Sequence, residues 1–166
     1  GNLVDKGESG GETTSEWTIT QDDLSPAVPE GVESATRNAK GKHHMSSLDE
    51  AIRQLLSIEG ATGAAIVDYA SGMALAQGGN PSFDLGIAAA GNSNVVRAKL
   101  ATMSELGVTD EIDDILITLT SQYHLINVLN TQNANGLFIY LVLTKSSANL
   151  ALARHKLKAI AAQIEV

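Results

Sequence analysis

Residues 85–106 read LGIAAAGNSNVVRAKLATMSEL, and this stretch decides the fold. Gly107 can end a helix here, and either Ser82 or Asp84 can cap its start, so the sequence predicts one long helix. With about 100° between neighbouring residues, this helix has two non-polar surfaces instead of one. One surface suits a sheet and comprises Leu85, Ala89, Val96, Leu100 and Met103, and the opposite surface comprises Ile87, Gly91, Asn94, Ala98 and Ala101.

The second surface of this helix consists mainly of small residues. A solvated helix face normally carries charged side chains, whereas small residues allow another backbone to approach closely. Two interpretations are open at this point. Either the helix is rich in alanine for its helix propensity, or it packs on its own sheet with one face and on a symmetry mate with the other.

Three predicted strands follow the long helix. They are Ile115 to Thr120, Tyr123 to Leu129 and Leu137 to Thr144, and their close succession favours an antiparallel meander. The first of them is apolar and β-branched, with charge only at its start in Asp114. At the edge of a sheet such a strand invites aggregation unless it is covered. Pairing with its own copy across a twofold axis would cover it.

A helix and a hairpin precede the long helix. Ser47 followed by Glu50 is typical of a capping box, so the first helix is expected to start there and to end at Gly60. The two strands of the predicted hairpin are Ala64 to Tyr69 and Met73 to Gln77, with the turn between them.

A last helix follows the meander. Ser146 or Ser147 is its candidate N-cap, and apolar residues recur at helical spacing from Leu150 to Ile164. The predicted element order is therefore α-β-β-α-β-β-β-α, which places the domain in the α/β class.

Residues 1–44 differ in composition from the rest of the chain. They are rich in Gly, Ser, Thr, Glu and Asp and show no sustained apolar period, which favours a flexible, acidic N-terminal tail. Two other interpretations stay open. Trp17 to Thr20 alternates apolar and polar residues as a docked strand would. His43-His44-Met45 is typical of a cloning junction, so the segment can also be vector-derived or a fused partner peptide. The folded domain is predicted at residues 45–166.

The composition argues against several classes of protein. The 166 residues are 43% hydrophobic, which is enough for one domain with a buried core. Cysteine is absent, so disulfides and Cys-ligated metals are excluded. The net charge is −8 without a basic stripe, which argues against nucleic acid and anionic membranes as partners. No apolar run reaches the roughly 18 residues of a membrane helix, and we expect a soluble, cytoplasmic protein.

No residue pattern points to catalysis, a metal or a cofactor. The sequence lacks a Walker-type phosphate-binding run. His124 and His155 have no carboxylate and nucleophile at a useful spacing, so we interpret the first as a packing or interface residue and the second as solvated. The acidic cluster at residues 110–114 lacks the ligand spacing of an EF-hand. The cluster has two interpretations, a solvated edge of the sheet or a binding surface for an Arg-rich partner.

The order of elements resembles the roadblock/LC7 family. So do the hairpin turn at Asp68 to Gly72, the Ala-rich helix from Leu85, and the run Asp114 to Leu129 (DILITLTSQYHLINVL). The likeness covers Met45 to Val166 and carries no catalytic signature. It implies a five-stranded antiparallel sheet sandwiched by helices, as in profilin-like layouts. It also implies a homodimer in which the third strands pair and the second helices lie side by side.

The resemblance further implies a function. Family members include dynein light chains, lysosomal scaffold subunits and prokaryotic proteins that bind Ras-like GTPases, and none is known as an enzyme by itself. We therefore expect a homodimeric adaptor that binds a small GTPase and is a candidate regulator of it. A small-ligand sensor of the profilin or PAS type, marked by a large apolar cavity, and a passive scaffold are the alternatives. By position, the implied dimer contacts are Ile87, Gly91, Asn94, Ala98, Ile115, Ile117 and Leu119, and the implied partner-binding residues are Ser93, Arg97, Ser104 and Glu105.

Overall fold

The computed structural model describes residues 46–165. Within this range three helices and five strands follow one another in the predicted order α-β-β-α-β-β-β-α. The helices are α1 (Ser47–Leu56), α2 (Leu85–Leu106) and α3 (Leu150–Ala161), and the strands are β1 (Ala61–Asp68), β2 (Met73–Gly79), β3 (Asp114–Thr118), β4 (Gln122–Val128) and β5 (Leu137–Thr144).

The five strands of the described region form one antiparallel sheet in the order β2-β1-β5-β4-β3. Strands β3, β4 and β5 form the predicted meander. Strand β5 lies in the centre between β1 and β4, and it is buried from Leu137 to Leu143. Strands β2 and β3 are the two edges of the sheet. The third strand therefore lies where an uncovered apolar strand needs protection.

Helices cover both faces of the sheet, as the resemblance implied. Helices α1 and α3 share one core on the first face, where Leu55 and Leu157 are buried. Within the described residues, α2 is the one helix that packs on the second face, through residues such as Val96. Successive residues of a strand point to opposite faces, so the central strand supplies both cores. From β5, Ile139, Leu141 and Leu143 enter the first core, and Phe138, Tyr140 and Val142 enter the second.

Helix α1 begins and ends earlier than the sequence predicted. Ser46, and not Ser47, is the N-cap, because its Oγ accepts a hydrogen bond from the backbone N–H of Asp49 at 3.2 Å. The same hydroxyl donates to the carboxylate of Asp49 at 3.0 Å, which completes a local capping pair. The helix ends at Leu56, before the predicted stop at Gly60. That glycine instead has a φ of 87° in the turn that leads into β1.

The caps of α2 match the prediction, whereas the cap of α3 does not. Asp84 accepts a hydrogen bond from the N–H three residues later at 3.0 Å, and Gly107 ends α2 with a φ of 70°. Asn149 caps α3 in the same way, at 3.1 Å. The serines predicted for this role belong to the turn after β5, where Ser147 bonds to the carbonyl of Thr144.

The β1–β2 hairpin is longer than predicted. Strand β1 begins at Ala61 instead of Ala64, and β2 ends at Gly79 instead of Gln77. The added ladder pairs Gly63 with Gly79. A Cβ atom at Gly63 would lie 2.8 Å from the proline ring of the following loop, so these close-packed ends accept only glycine. Propensity read from the sequence discounts glycine in strands, which is why the ends were missed.

A β-bulge interrupts the β2 edge of the sheet. Ile66 pairs with Ala76, whereas Val67 pairs with Ala74, so Leu75 has no residue opposite it. A bulge bends its strand and increases the local twist. The β2 edge is therefore irregular, whereas β3 pairs with β4 in an uninterrupted register.

The described residues lie in the domain predicted at residues 45–166. The expectations for residues 1–44, as a flexible tail, a docked strand or a vector-derived segment, fall outside the described residues. Among residues 46–165, no helix combines the length and the apolar character that crossing a bilayer requires.

Candidate functional site

The outward side of α2 is small, apolar and exposed. Ile87 is 75% exposed, and a Cβ atom added at Gly91 would meet nothing within 4 Å. On the opposite side of the helix, Leu85, Ala89 and Val96 are buried against the sheet, as the two-surface pattern predicted. We call the exposed set the α2 outer face, which consists of Ile87, Gly91, Asn94, Ala98 and Ala101.

Strand β3 is an edge of the described sheet, at the opposite end of the strand order from β2. Ile115 and Ile117 are half-buried and pack against the core that α2 covers. Leu119, which was predicted inside the strand, lies beyond its end at Thr118 and is 42% exposed. Its N–H bonds to the carbonyl of Gln122 at 2.9 Å, so the turn into β4 starts earlier than predicted. The seven implied dimer contacts thus lie on one helix face, one strand and its following turn.

An ion pair fastens β3 to α3. Two guanidinium nitrogens of Arg154 each donate to the carboxylate of Asp114 at 3.0 Å. The other acidic residues of the cluster, Asp110, Glu111 and Asp113, are exposed. The cluster therefore divides into one paired carboxylate and three solvated ones. Within residues 46–165, no group of three or more His, Cys, Asp or Glu side chains is arranged to hold a metal ion.

A groove of about 380 Å³ opens between the first half of α2 and strands β4 and β5. His124 of β4 and Tyr140 of β5 line it from the sheet, and Ile87 and Gly91 line it from the helix. Ile87 and Gly91 are exposed, so this is a surface groove and not an enclosed cavity. The other lining residues are Phe83, Asp84, Ala88 and Asn92.

Polar groups in the groove form one directional chain of hydrogen bonds. Nε2 of His124 lies 2.9 Å from Oε1 of Gln122, which only accepts, so this ring nitrogen carries the hydrogen. Nδ1 of the same ring then accepts a hydrogen bond from the hydroxyl of Tyr140 at 2.9 Å. The side chain of Asn92 lies near that hydroxyl. His124 is therefore a satisfied packing residue, and its ring lies 5.5 Å from that of Phe83.

Burial keeps both rings of the groove uncharged. It lowers the pKa of His124 below the ordinary value of a histidine. It raises the pKa of Tyr140 to about 12, although the nearby side chain of Asn92 acts in the opposite direction. Near neutral pH the sheet side of the groove is thus a neutral surface, which suits an apolar occupant better than an ionic one.

Ser93 does not lie on the exposed flank of α2, so the prediction of its exposure is wrong. It is fully buried, and its Oγ donates to the carbonyl of Ala89 at 2.7 Å. The helical rotation places it beside the buried stripe, where a small hydroxyl that bonds to its own helix is tolerated. Ser104 and Glu105, in contrast, are exposed.

Arg97 is exposed but is not a free side chain. Its guanidinium donates to the backbone carbonyls of Tyr69 and Ala70 in the β1–β2 turn and to the side-chain oxygen of Asn94. The residue therefore ties the hairpin to α2. Any substitution there changes the support of the hairpin as well as the surface charge.

The sequence pattern did not identify several groove residues, above all Phe83, Asn92 and Tyr140. In the sequence, Phe83 is an aromatic residue of a loop, Asn92 an amide within a helix and Tyr140 one position of an apolar strand. One signal was present, because a tyrosine inside a buried apolar strand needs a partner for its hydroxyl. That partner comes from other elements, and spacing along the chain cannot identify it.

The sequence matches no family model and no curated protein. Solved structures nevertheless share its fold. A roadblock/LC7 domain from Streptomyces avermitilis gives a TM-score of 0.59 at 13% identity, over 69% of this chain and 92% of that one. MglB from Myxococcus xanthus gives 0.63 at 13% identity, over 74% and 88%. The gliding protein MglB from Thermus thermophilus gives 0.53 at 18% identity, over 71% and 90%.

Proposed function

The chain has a roadblock/LC7-like fold, and on that premise we propose that it is a homodimeric cytoplasmic adaptor. Its partner is a small Ras-like GTPase, which it binds and regulates without being an enzyme itself. The fold likeness supports this class of function, because the resemblance found in the sequence implies adaptors of Ras-like GTPases. MglB, one of the structures that share the fold, is described as a gliding protein.

The α2 outer face is the observation that carries the proposal. An apolar side chain as exposed as Ile87 lies among small residues, on a helix that packs on the sheet of which β3 is an edge. Exposed apolar surface of this kind is typical of an interaction site. A twofold axis would cover the helix face and the strand edge at the same time, because each copy offers the same two features.

Dimerisation is tested by placing a charge on the α2 outer face. Ile87→Lys should shift the mass measured by light scattering from two copies to one, because a buried unpaired charge opposes the contact. Its matched control is Leu152→Lys, which charges a 41% exposed leucine on α3, on the other side of the sheet. The control should leave the mass unchanged. A wild-type protein that is monomeric at every concentration would reject the dimer.

Partner binding is tested at Glu105, an exposed residue near the end of α2. Arg97 is unsuitable because it also supports the hairpin. Glu105→Lys should weaken binding to the cognate GTPase by altering rim electrostatics, whereas Glu59→Lys, a charge reversal at an exposed turn, should not. The titration uses the GTPase loaded with a GTP analogue or with GDP. A regulator must distinguish the two states, because the switch loops of such a GTPase change order on hydrolysis.

Equal binding of both nucleotide states would reject regulation and leave a passive scaffold.

The groove supports a second candidate, a small-ligand sensor, since about 380 Å³ lies within the range of small-molecule sites. Its exposed helix side weakens this candidate. A rise in melting temperature with an apolar small molecule, abolished by filling the groove through Gly91→Phe, would favour the sensor.

A further inference from the structure

Two exposed features of α2 are complementary in size. The groove lies beside its first half, where Ala88 and Gly91 leave space. Its second half carries Leu106, which is 70% exposed although it is a large apolar side chain. Between them lies Val95, which is 39% exposed. Ala88, Val95 and Leu106 are spaced by seven and eleven residues, so all three lie on one strip of the helix.

We infer that the groove of each copy receives Leu106 of a second copy, in a twofold pair whose α2 helices run antiparallel. The inference rests on the proposed homodimer and adds the residue that fills the groove. In a single copy the groove is thus unfilled, and the second copy supplies the side chain that fills it.

The direction of the pair follows from packing. In a parallel pair, equal positions meet, so Leu106 would face Leu106 and the two grooves would face each other empty. An empty apolar space forfeits contacts on every side of it. In an antiparallel pair, the large end of each helix meets the small end of the other, and both grooves are filled at once. A twofold axis that crosses the helices near positions 97–98, midway between Leu106 and the groove residues Ala88 and Gly91, produces this arrangement, since it requires only a self-complementary surface.

The chemistry of the groove agrees with a leucine as occupant. His124 and Tyr140 are neutral and already satisfied by their own hydrogen-bond chain. An occupant therefore gains no polar partner on the sheet side. An aliphatic side chain gains from leaving water, whereas a charged or amide side chain would lose its hydration without replacement.

Single-cysteine variants test the inference, and the natural chain contributes no background because it has no cysteine. A tagged Gly91→Cys protein is mixed with an untagged Leu106→Cys protein, allowed to exchange subunits, and treated with a short bis-maleimide. Gly91 lines the groove and accepts a side chain without a clash. The matched control pairs Gly91→Cys with Leu152→Cys. The 91–106 pair should crosslink about tenfold more than the control, because the bound copy holds the two thiols at a high effective concentration.

The outcomes separate this inference from the proposed function. A dimer by light scattering whose 91–106 pair crosslinks no more than the control would overturn the inference and leave the dimer standing. Dominant crosslinking of Leu106→Cys to itself would show a parallel pair and would also overturn it. A monomeric wild type would remove both. Binding of an apolar dye to the dimer that Gly91→Phe abolishes would show an unfilled groove and would likewise refute the seating of Leu106.

A dissociation constant gives a second readout that does not depend on crosslinking geometry. Leu106→Ala should raise the dissociation constant of the dimer about ten- to fiftyfold, because the dimer loses the buried apolar contact of most of a leucine side chain in both copies. Leu152→Ala, at a leucine exposed to 41%, should change it less than about twofold. Equal effects of the two substitutions would contradict the inference.

Discussion

The two faces of the sheet are covered in different ways. On one face, α1 and α3 together bury their apolar stripes, and the outward side of α1 is charged, with Glu50 hydrogen-bonded to Arg53. On the other face, α2 is the one helix of residues 46–165 that packs on the sheet. It buries one apolar surface and exposes another, on which Ile87 is the most open of the large hydrophobic side chains.

The difference shows which helix layer buries its apolar residues and which leaves some of them exposed. A helix whose outward side is charged and internally paired needs no further partner. A helix that exposes small and apolar residues, on a sheet that also has an apolar edge strand, has unsatisfied apolar surface. The α1–α3 face therefore stabilises the fold, whereas the α2 face is where we expect association.

The largest expected loss of stability comes from a substitution on the buried side of α2. Ser93→Asp should lower the free energy of unfolding by about 3 kcal/mol or more, because the carboxylate would be buried without a partner. Ser104→Asp, on the exposed side of the same helix, should stay within about 0.5 kcal/mol. Urea unfolding followed by circular dichroism measures both. Similar losses for the two serines would contradict the burial of Ser93.

A second prediction compares the two helical faces directly. Leu55→Ala in α1 should cost about 3 kcal/mol at any protein concentration, because it leaves a cavity in a fully buried core. Ile87→Ala in α2 should lower stability only where the protein is dimeric, so its effect should vanish on dilution. The measurement is urea unfolding over a hundredfold range of concentration, taken as about 1 to 100 µM to span typical dimer affinities. A concentration-independent loss for Ile87→Ala would refute the comparison.

A third prediction concerns the ion pair that anchors the free edge. Asp114→Asn should lower the free energy of unfolding by about 0.5 to 1 kcal/mol, a discounted value because the side chain of Arg154 is 40% exposed. Asp113→Asn, one residue earlier and exposed, should have no measurable effect. Thermal unfolding at low and high salt distinguishes them, since only the paired carboxylate should show a salt-dependent difference.

The last prediction is the pH dependence of stability. The pKa of His124 is lower in the folded protein than its ordinary value of 6.5. The unfolded chain therefore binds the proton first as pH falls, so stability is complete above about pH 6.5 and declines below it. His124→Gln should flatten this decline, whereas His155→Gln at an exposed position should not. An unchanged decline in His124→Gln would remove His124 as its cause.

Glu50 affects the stability at lower pH than His124 does, so it does not interfere with the His124 test. Arg53 and Gln54 hydrogen-bond to its carboxylate and lower its pKa from 4.5 to about 2. A lowered carboxyl pKa gives a contribution that is present above 4.5 and is lost as pH falls toward 2. Measurements between about pH 5 and 7 therefore report on the histidine.

The fold was largely predictable from the sequence because each element has its own periodicity. The two surfaces of residues 85–106, the stop at Gly107 and the meander up to Thr144 all depend on neighbours in the chain, and the structure agrees with them. The predictions were wrong at the ends of helices and strands, where a neighbouring residue or another segment determines the boundary. Ser46 caps α1 in place of Ser47. The strand pairing of the hairpin continues through glycines that pack against a proline ring.

The candidate site was less predictable, because it is assembled from distant elements. Ser93 and Arg97 both carry polar groups on α2, and spacing alone suggested that both face a partner. Only the packed structure reveals that the first bonds inside its helix and the second holds a hairpin nearly thirty positions away. The groove likewise combines Phe83, His124 and Tyr140 from three separate elements, which no local pattern reports.

The bulge at Leu75 has a consequence for how far assembly can proceed. If β3 joins its copy, the outward margins of the enlarged sheet are the β2 strands of both copies. Each of these strands is distorted where Leu75 lacks a counterpart and ends in a Gly-Gly-Asn-Pro sequence at residues 78–81. A twisted strand that ends at proline is a poor template for further strands. In such a pair, growth of the sheet described at residues 46–165 would stop after one addition, whereas a sheet with regular edges could extend into a fibre.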